Sequence, residues 1–132
     1  MALYLDTSAF VKLFCKEEHS GALRAWLEER HEDLVASDLL RTEALRVARK
    51  LSPEATLLAR QLLEAVSLVT VSSDICERAA DLDPDIMRSL DAIHVATALA
   101  LGDRLSAVVT YDARMADACA AYGLRVEAPR ER

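Results

Sequence analysis

A chain of 132 residues with a formal net charge of −6 is long enough for one domain with a real core, and it lacks the strong positive charge of a general nucleic-acid binder. No apolar run approaches the roughly 20 residues that span a bilayer, so we expect no membrane segment and a cytoplasmic protein. Three cysteines, far apart and without a CxxC pair, predict neither a disulfide framework nor a zinc site. The acidic balance leaves open an enzyme whose bound cations supply positive charge.

Short apolar segments typical of strands alternate with helical patterns along the whole chain. The predicted strands are 3–5, 34–36, 68–71, 107–110 and 124–126, and the predicted helices are 9–15, 20–30, 39–50, 53–66, 72–82, 88–101 and 112–122. This alternation predicts a three-layer α/β/α domain with a mostly parallel central sheet over residues 1–128. We expect residues 129–132 to be a loose C-terminal tail.

Two carboxylates follow predicted strands directly. Asp6 comes after the first strand, and Asp112 comes after Thr110 and Tyr111 at the end of the fourth. In a parallel sheet both lie along the edge where ligands bind, outside the carboxyl ends of the strands. Each of them could instead be only the N-cap of the helix that follows.

Two further carboxylates lie on predicted helices. Glu43 has apolar neighbours at helical spacing and is expected to face inward, although a surface ion pair with Arg46 is the alternative. Asp91 begins a helix that is apolar nearly all round, and burying an unpaired carboxylate there is costly. The helix dipole offsets only about 1 kcal/mol of this cost. Asp91 is therefore either a simple first-turn aspartate or a ligand of a bound metal ion.

Four carboxylates at one sheet edge repel one another, and hard divalent cations relieve that repulsion. Mg²⁺ and Mn²⁺ take oxygen ligands, keep several waters and bridge to phosphate. A pair of such ions roughly 4 Å apart can activate water in phosphodiester cleavage. No glycine-rich phosphate loop is present, so nothing supports a nucleotide cofactor.

Other side chains near these acids have more than one interpretation. His94 shares a helix face with Asp91, but such a histidine is more often a packed core residue with one hydrogen bond. Arg41 and Arg46 belong either to a solvated helix face or to phosphate contacts with RNA beside the site. The leucines of the fourth helix are either ordinary core or a docking groove for a partner; they are Leu57, Leu58, Leu62 and Leu63.

The acidic motifs follow one another in order: Leu5-Asp6-Thr7-Ser8, Ser37 to Glu43, Ser89-Leu90-Asp91-Ala92-Ile93-His94 with Ala96-Thr97-Ala98, and Thr110-Tyr111-Asp112. Together they resemble the PIN-domain ribonucleases, and more narrowly the VapC toxins of bacterial and archaeal toxin–antitoxin modules. The resemblance spans essentially the whole chain, and no acid of the family pattern is missing.

This resemblance implies a PIN-like fold and a Mg²⁺- or Mn²⁺-dependent endoribonuclease that hydrolyses structured RNA such as tRNA or rRNA. It also implies a VapB-type antitoxin that neutralises the enzyme, and frequent homodimers. The implied metal-binding and catalytic residues are Asp6, Glu43, Asp91 and Asp112. The implied hydroxyl contacts to substrate or metal-bound water come from Thr7, Ser8 and Thr110.

Two other functions compete with this one. A phosphatase of the haloacid dehalogenase type needs a second aspartate two residues after the first, where this chain has Ser8. A catalytically silent PIN-like module that binds RNA or protein is the main alternative. The sequence does not favour this alternative, because a silent module is expected to have lost one of the four acids and this chain keeps all of them.

Overall fold

A five-stranded parallel sheet forms the centre of the protein, as seen in a computed structural model that describes residues 1–132. The strands are β1 (Ala2–Leu5), β2 (Asp33–Ser37), β3 (Ser67–Val69), β4 (Leu105–Val109) and β5 (Val126–Glu127). They lie in the order β3-β2-β1-β4-β5, and every pairing is parallel. The central strand β1 is buried along its whole length, as expected for an apolar run with neighbours on both sides.

Seven α-helices cover the two faces of this sheet. They are α1 (Thr7–Phe14), α2 (Ser20–Glu28), α3 (Leu39–Leu51), α4 (Pro53–Leu63), α5 (Ser73–Ala80), α6 (Ser89–Ala100) and α7 (Ala113–Ala121), with a 3₁₀ turn at Gly102–Arg104. Side chains of β1 alternate between two hydrophobic clusters. Leu3 and Leu5 pack with α1 to α4, whereas Tyr4 packs with α5 to α7. The predicted three-layer α/β/α fold is therefore confirmed.

Local chemistry fixes most helix ends where the sequence predicted them. Ser52 and Ser72 each accept a hydrogen bond from a backbone N–H in the first turn of α4 and α5. Gly102 and Gly123 follow α6 and α7 with positive φ, the conformation that favours glycine at the end of a helix. Three strands differ from prediction by two residues at one end: β3 ends at Val69 rather than residue 71, β4 starts at Leu105 rather than 107, and β5 starts at Val126 rather than 124.

The C-terminal tail, predicted to be loose, contacts the body of the domain. Tyr111 donates a hydrogen bond of 2.6 Å to the carbonyl of Pro129, and the Glu131 amide donates to Nδ1 of His19 at 2.9 Å. His19 precedes α2 in the left-handed region and stacks on Tyr111. These partners lie far from the tail in sequence, so local composition carries no sign of them. None of the helices is long and apolar enough to cross a membrane.

Candidate active site

The carboxyl ends of β1, β2 and β4 meet in the middle of the sheet edge. From β1 the chain moves to β2 on one side and later returns to β4 on the other, so the strand order reverses beside β1. Such a reversal opens a crevice in which α/β proteins bind ligands. Asp6, Ser37 and Thr110 stand at or just beyond these three strand ends.

Three donors hydrogen-bond to the Asp6 carboxylate just beyond the end of β1. Asp6 is 3% exposed, and its Oδ1 accepts from the Ser8 hydroxyl at 2.7 Å and from the Ala9 amide at 3.0 Å. Its Oδ2 accepts from the Thr110 hydroxyl, which in turn accepts from the Asp112 amide. Burial raises the pKa of Asp6, and the hydrogen bonds from Thr110, Ser8 and Ala9 offset only part of that rise.

Glu43 enters the same crevice from α3. Its Oε1 accepts from the Thr7 hydroxyl at 2.6 Å and from Nε2 of His94 at 2.8 Å. Half-burial acts to raise the pKa of Glu43, but the hydrogen bonds from His94 and Thr7 outweigh it and hold that pKa below its usual value. The carboxyl group is therefore ionised and oriented.

Asp91 and Asp112 complete the acidic set. Asp91 lies half-buried in the first turn of α6, and Asp112 is exposed at the start of α7, where its Oδ1 accepts from the Arg114 amide. Glu43, Asp91 and Asp112 line one open depression of about 470 Å³. The other residues around this depression are Arg88, Ser89, Leu90 and Arg114.

The depression continues along the surface into a second one of about 460 Å³. The two share Arg88, Ser89, Asp91 and Arg114, and the second extends to the segment 84–87 before α6. Both are open, and most of the residues that line them are polar or charged. An extended chain can therefore run past the acids without entering the core.

The donor set fits a hard divalent cation by its chemistry. All four acids offer carboxylate oxygens, the ligands that Mg²⁺ and Mn²⁺ prefer, and no thiolate lies among them. Oε2 of Glu43 and Oδ2 of Asp112 take no part in the hydrogen bonds of the site. No three His, Cys, Asp or Glu side chains are gathered closely enough to hold a metal ion in the present arrangement.

The family model described as "PIN domain" matches residues 3–121. The chain is also 42% identical over 128 residues to ribonuclease VapC46 of Mycobacterium tuberculosis, covering 97% of this chain and 98% of that protein. This chain belongs to the PIN-domain family, among its VapC members. The predicted resemblance is confirmed.

Solved structures resemble this PIN domain as well. A toxin–antitoxin complex from Klebsiella pneumoniae aligns with a TM-score of 0.68 at 26% identity, over 85% of this chain and 87% of that one. The M. tuberculosis protein VapC20, whose structure is described as that of a sarcin-ricin loop cleaving toxin, aligns with a TM-score of 0.77 at 18% identity. It covers 96% of this chain and 99% of that one, and at this identity it shows the fold alone.

Most of the residues predicted for the site lie together in this PIN domain. The three hydroxyls predicted as auxiliary groups all contact the acids: Thr7 contacts Glu43, and Ser8 and Thr110 contact Asp6. The two predicted basic residues lie elsewhere. Arg41 pairs with Asp38 and lines a different depression with Arg60, and Arg46 is exposed on α3 without lining the crevice.

The structure adds four residues that sequence reasoning did not place in the site. Arg88 and Arg114 line the acidic depression in place of Arg41 and Arg46. The available signal was their position in the sequence, since Arg88 directly precedes Ser89 and Arg114 lies two residues after Asp112. His94 makes two hydrogen bonds rather than one, to Glu43 and Tyr4. The sequence predicted Tyr4 to be a core residue of a buried strand, and nothing in its sequence context indicated the contact with His94.

Proposed function

We propose that this protein is a Mg²⁺- or Mn²⁺-dependent endoribonuclease, the toxin of a VapBC-type toxin–antitoxin system. One observation carries the proposal: Glu43, Asp91 and Asp112 line a single depression, and Thr110 links the backbone of Asp112 to the buried Asp6. Although Asp6 and Asp112 each cap a helix, four carboxylates in one region repel one another. They suit a site that takes up cations.

The comparisons support the reaction and the substrate class. VapC46, a relative over nearly its full length, is named a ribonuclease, and VapC20, which shares the fold, is described as cleaving the sarcin-ricin loop. We accordingly propose structured RNA, such as tRNA or rRNA, as the substrate. The open, continuous depression suits a single strand or loop drawn across the acids.

Each side chain of the site has a proposed role. Asp6, Glu43, Asp91 and Asp112 would hold the cation, which when bound supplies an activated water and neutralises charge on the phosphate. The hydroxyls of Ser8 and Thr110 fix both oxygens of Asp6. Arg88 and Arg114 lie where they can hold RNA phosphates against an otherwise negative surface.

We also propose a VapB-type antitoxin as partner, supported by the similarity to a toxin–antitoxin complex. Exposed leucines of α3 and α4 offer an apolar surface for that antitoxin or for a second copy of the chain in a homodimer; they are Leu51, Leu57 and Leu58. Because its proposed substrate is cellular RNA, we place its action in the cytoplasm.

The test is cleavage of total cellular RNA by the purified protein with Mg²⁺ or Mn²⁺, beside EDTA. Asp91→Asn is the informative variant, because it removes a charge without changing the shape of the side chain. Discrete fragments that disappear with EDTA and with Asp91→Asn support the proposal. If the wild type cuts no RNA and calorimetry detects no binding of Mn²⁺, the proposal is wrong and a silent binding module takes its place.

A further inference from the structure

The two oxygens of the Glu43 carboxylate have different surroundings. Oε1 receives both hydrogen bonds, from the Thr7 hydroxyl and from Nε2 of His94. Oε2 receives none, and the side chain keeps 27% of its surface exposed at the edge of the acidic depression. One oxygen is thus anchored to the protein, and the other is presented to whatever occupies the depression.

The anchor at His94 continues into the core through Tyr4. The Tyr4 hydroxyl lies 2.7 Å from Nδ1 of His94, and its oxygen also accepts from the Ser37 amide at 3.2 Å. Tyr4 and His94 are 1% and 3% exposed, and their rings meet edge to face. Strand β2, strand β1, helix α6 and helix α3 are thereby linked in one chain of hydrogen bonds that ends on Glu43.

Counting donors and acceptors in this chain fixes the tautomer of His94. The Tyr4 hydroxyl proton has only Nδ1 of His94 as an acceptor. If Nδ1 carried a proton, the buried Tyr4 hydroxyl would be left without an acceptor, which is costly. The proton of the imidazole therefore lies on Nε2, where it is donated to Glu43.

We propose that Tyr4 and His94 are positioning residues of the site. Tyr4 holds His94 as the Nε2–H tautomer, and His94 in turn aims Oε2 of Glu43 into the depression. The proposal rests on the proposed function, because the oriented oxygen is useful only to a cation or reactant bound there. Partners that orient the ligands of a metal ion typically change its affinity or the activity by 10- to 100-fold. We expect effects of that size here.

The competing explanation is that His94 is merely a well-packed core side chain. Two substitutions separate the explanations, because the amide nitrogen of glutamine reaches about as far as Nε2, whereas asparagine stops near Nδ1. His94→Asn should lower Mn²⁺ affinity in calorimetry and RNA cleavage by about 10- to 100-fold. His94→Gln should recover most of both losses.

Thr97→Val is the matched control for packing. Thr97 is equally buried on α6 and donates to the carbonyl of Ile93, without contacting Glu43. Thr97→Val should lower the melting temperature and leave the Mn²⁺ affinity unchanged. Equal Mn²⁺ affinity in the wild type, His94→Asn and His94→Gln would show that His94 only packs, and would overturn the proposal.

The tautomer is tested without metal or RNA, so its outcome is independent of the proposed function. Nitrogen–proton correlation spectra of the histidine side chains should show His94 protonated at Nε2 alone in the wild type. Tyr4→Phe, which keeps the ring but removes the hydroxyl, should shift the Nδ1 resonance because Nδ1 loses its hydrogen bond, while the bond to Glu43 keeps Nε2 protonated. A wild-type spectrum with the proton on Nδ1, or an identical spectrum in Tyr4→Phe, would refute the relay even if the protein is an active nuclease.

Discussion

Asp112 combines two roles that a pair of substitutions can separate. Its Oδ1 accepts from the Arg114 amide at 2.9 Å and so caps α7, while its carboxylate lines the acidic depression. Asparagine caps a helix about as well as aspartate, whereas alanine at such a position costs about 1 kcal/mol. For a domain of this size, that loss corresponds to a fall in melting temperature of about 3 to 6 °C.

We therefore expect Asp112→Asn to melt close to the wild type and to lose RNA cleavage by more than about 100-fold, since even indirect partners of metal ligands cost 10- to 100-fold. Asp112→Ala should lose both stability and cleavage. Melting followed by circular dichroism, and cleavage of one defined RNA under single-turnover conditions, provide the two measurements.

Ser72→Ala is the matched control, because Ser72 caps α5 through the Ile75 amide and does not line the acidic depression. It should lose about 1 kcal/mol of stability and keep full cleavage once folded. If Asp112→Asn cleaves RNA at the wild-type rate, Asp112 is only a helix cap. The four-acid site would then be wrong in this member.

Three further predictions follow from contacts in and around the site. Arg88→Ala should weaken RNA binding and reduce the slope of log affinity against log salt by about 1, whereas Arg78→Ala on α5 should change neither; titration at several salt concentrations checks this. Burial raises the pKa of Asp6, so its protonated form stabilises the fold at low pH, and that contribution is lost as pH rises from about 3.8 through the folded pKa. In EDTA, the free energy of unfolding of Asp6→Asn minus that of the wild type should therefore increase as the pH rises through this range. A constant difference would contradict the reasoning. Tyr111→Phe removes the hydrogen bond to Pro129 and should speed amide exchange in the tail alone, so exchange that matches the wild type would count against that contact.

The sequence predicted the strand-end acids because their signal is local. A short apolar run followed by a carboxylate determines both the strand and the place where it ends, so the positions of Asp6 and Asp112 follow from the fold class. The two interpretations of these residues, helix cap and site residue, do not exclude each other. Each caps a helix and also lies in the crevice, because the edge of a parallel sheet is where helices begin.

Residues whose role depends on a distant partner could not be predicted in the same way. Helical spacing showed that Glu43 faces inward, but its partners Thr7 and His94 lie 36 and 51 residues away. The basic residues of α3 illustrate the same limit. Closeness to Glu43 in sequence suggested Arg41, yet that side chain pairs with Asp38, and positions beside Asp91 and Asp112 supply the positive charge instead.

The hydrogen bond between Asp6 and Thr110 joins residues 104 positions apart. The order in which the chain is synthesised therefore determines when this bond can form. Strand β1 leaves the ribosome before its neighbour β4, which is synthesised only after residue 104. Contacts of such long sequence separation form late in folding. A nascent chain that stops before β4 thus holds Asp6 without Thr110 and also lacks Asp112, so the set of four acids forms only after β4 has been made.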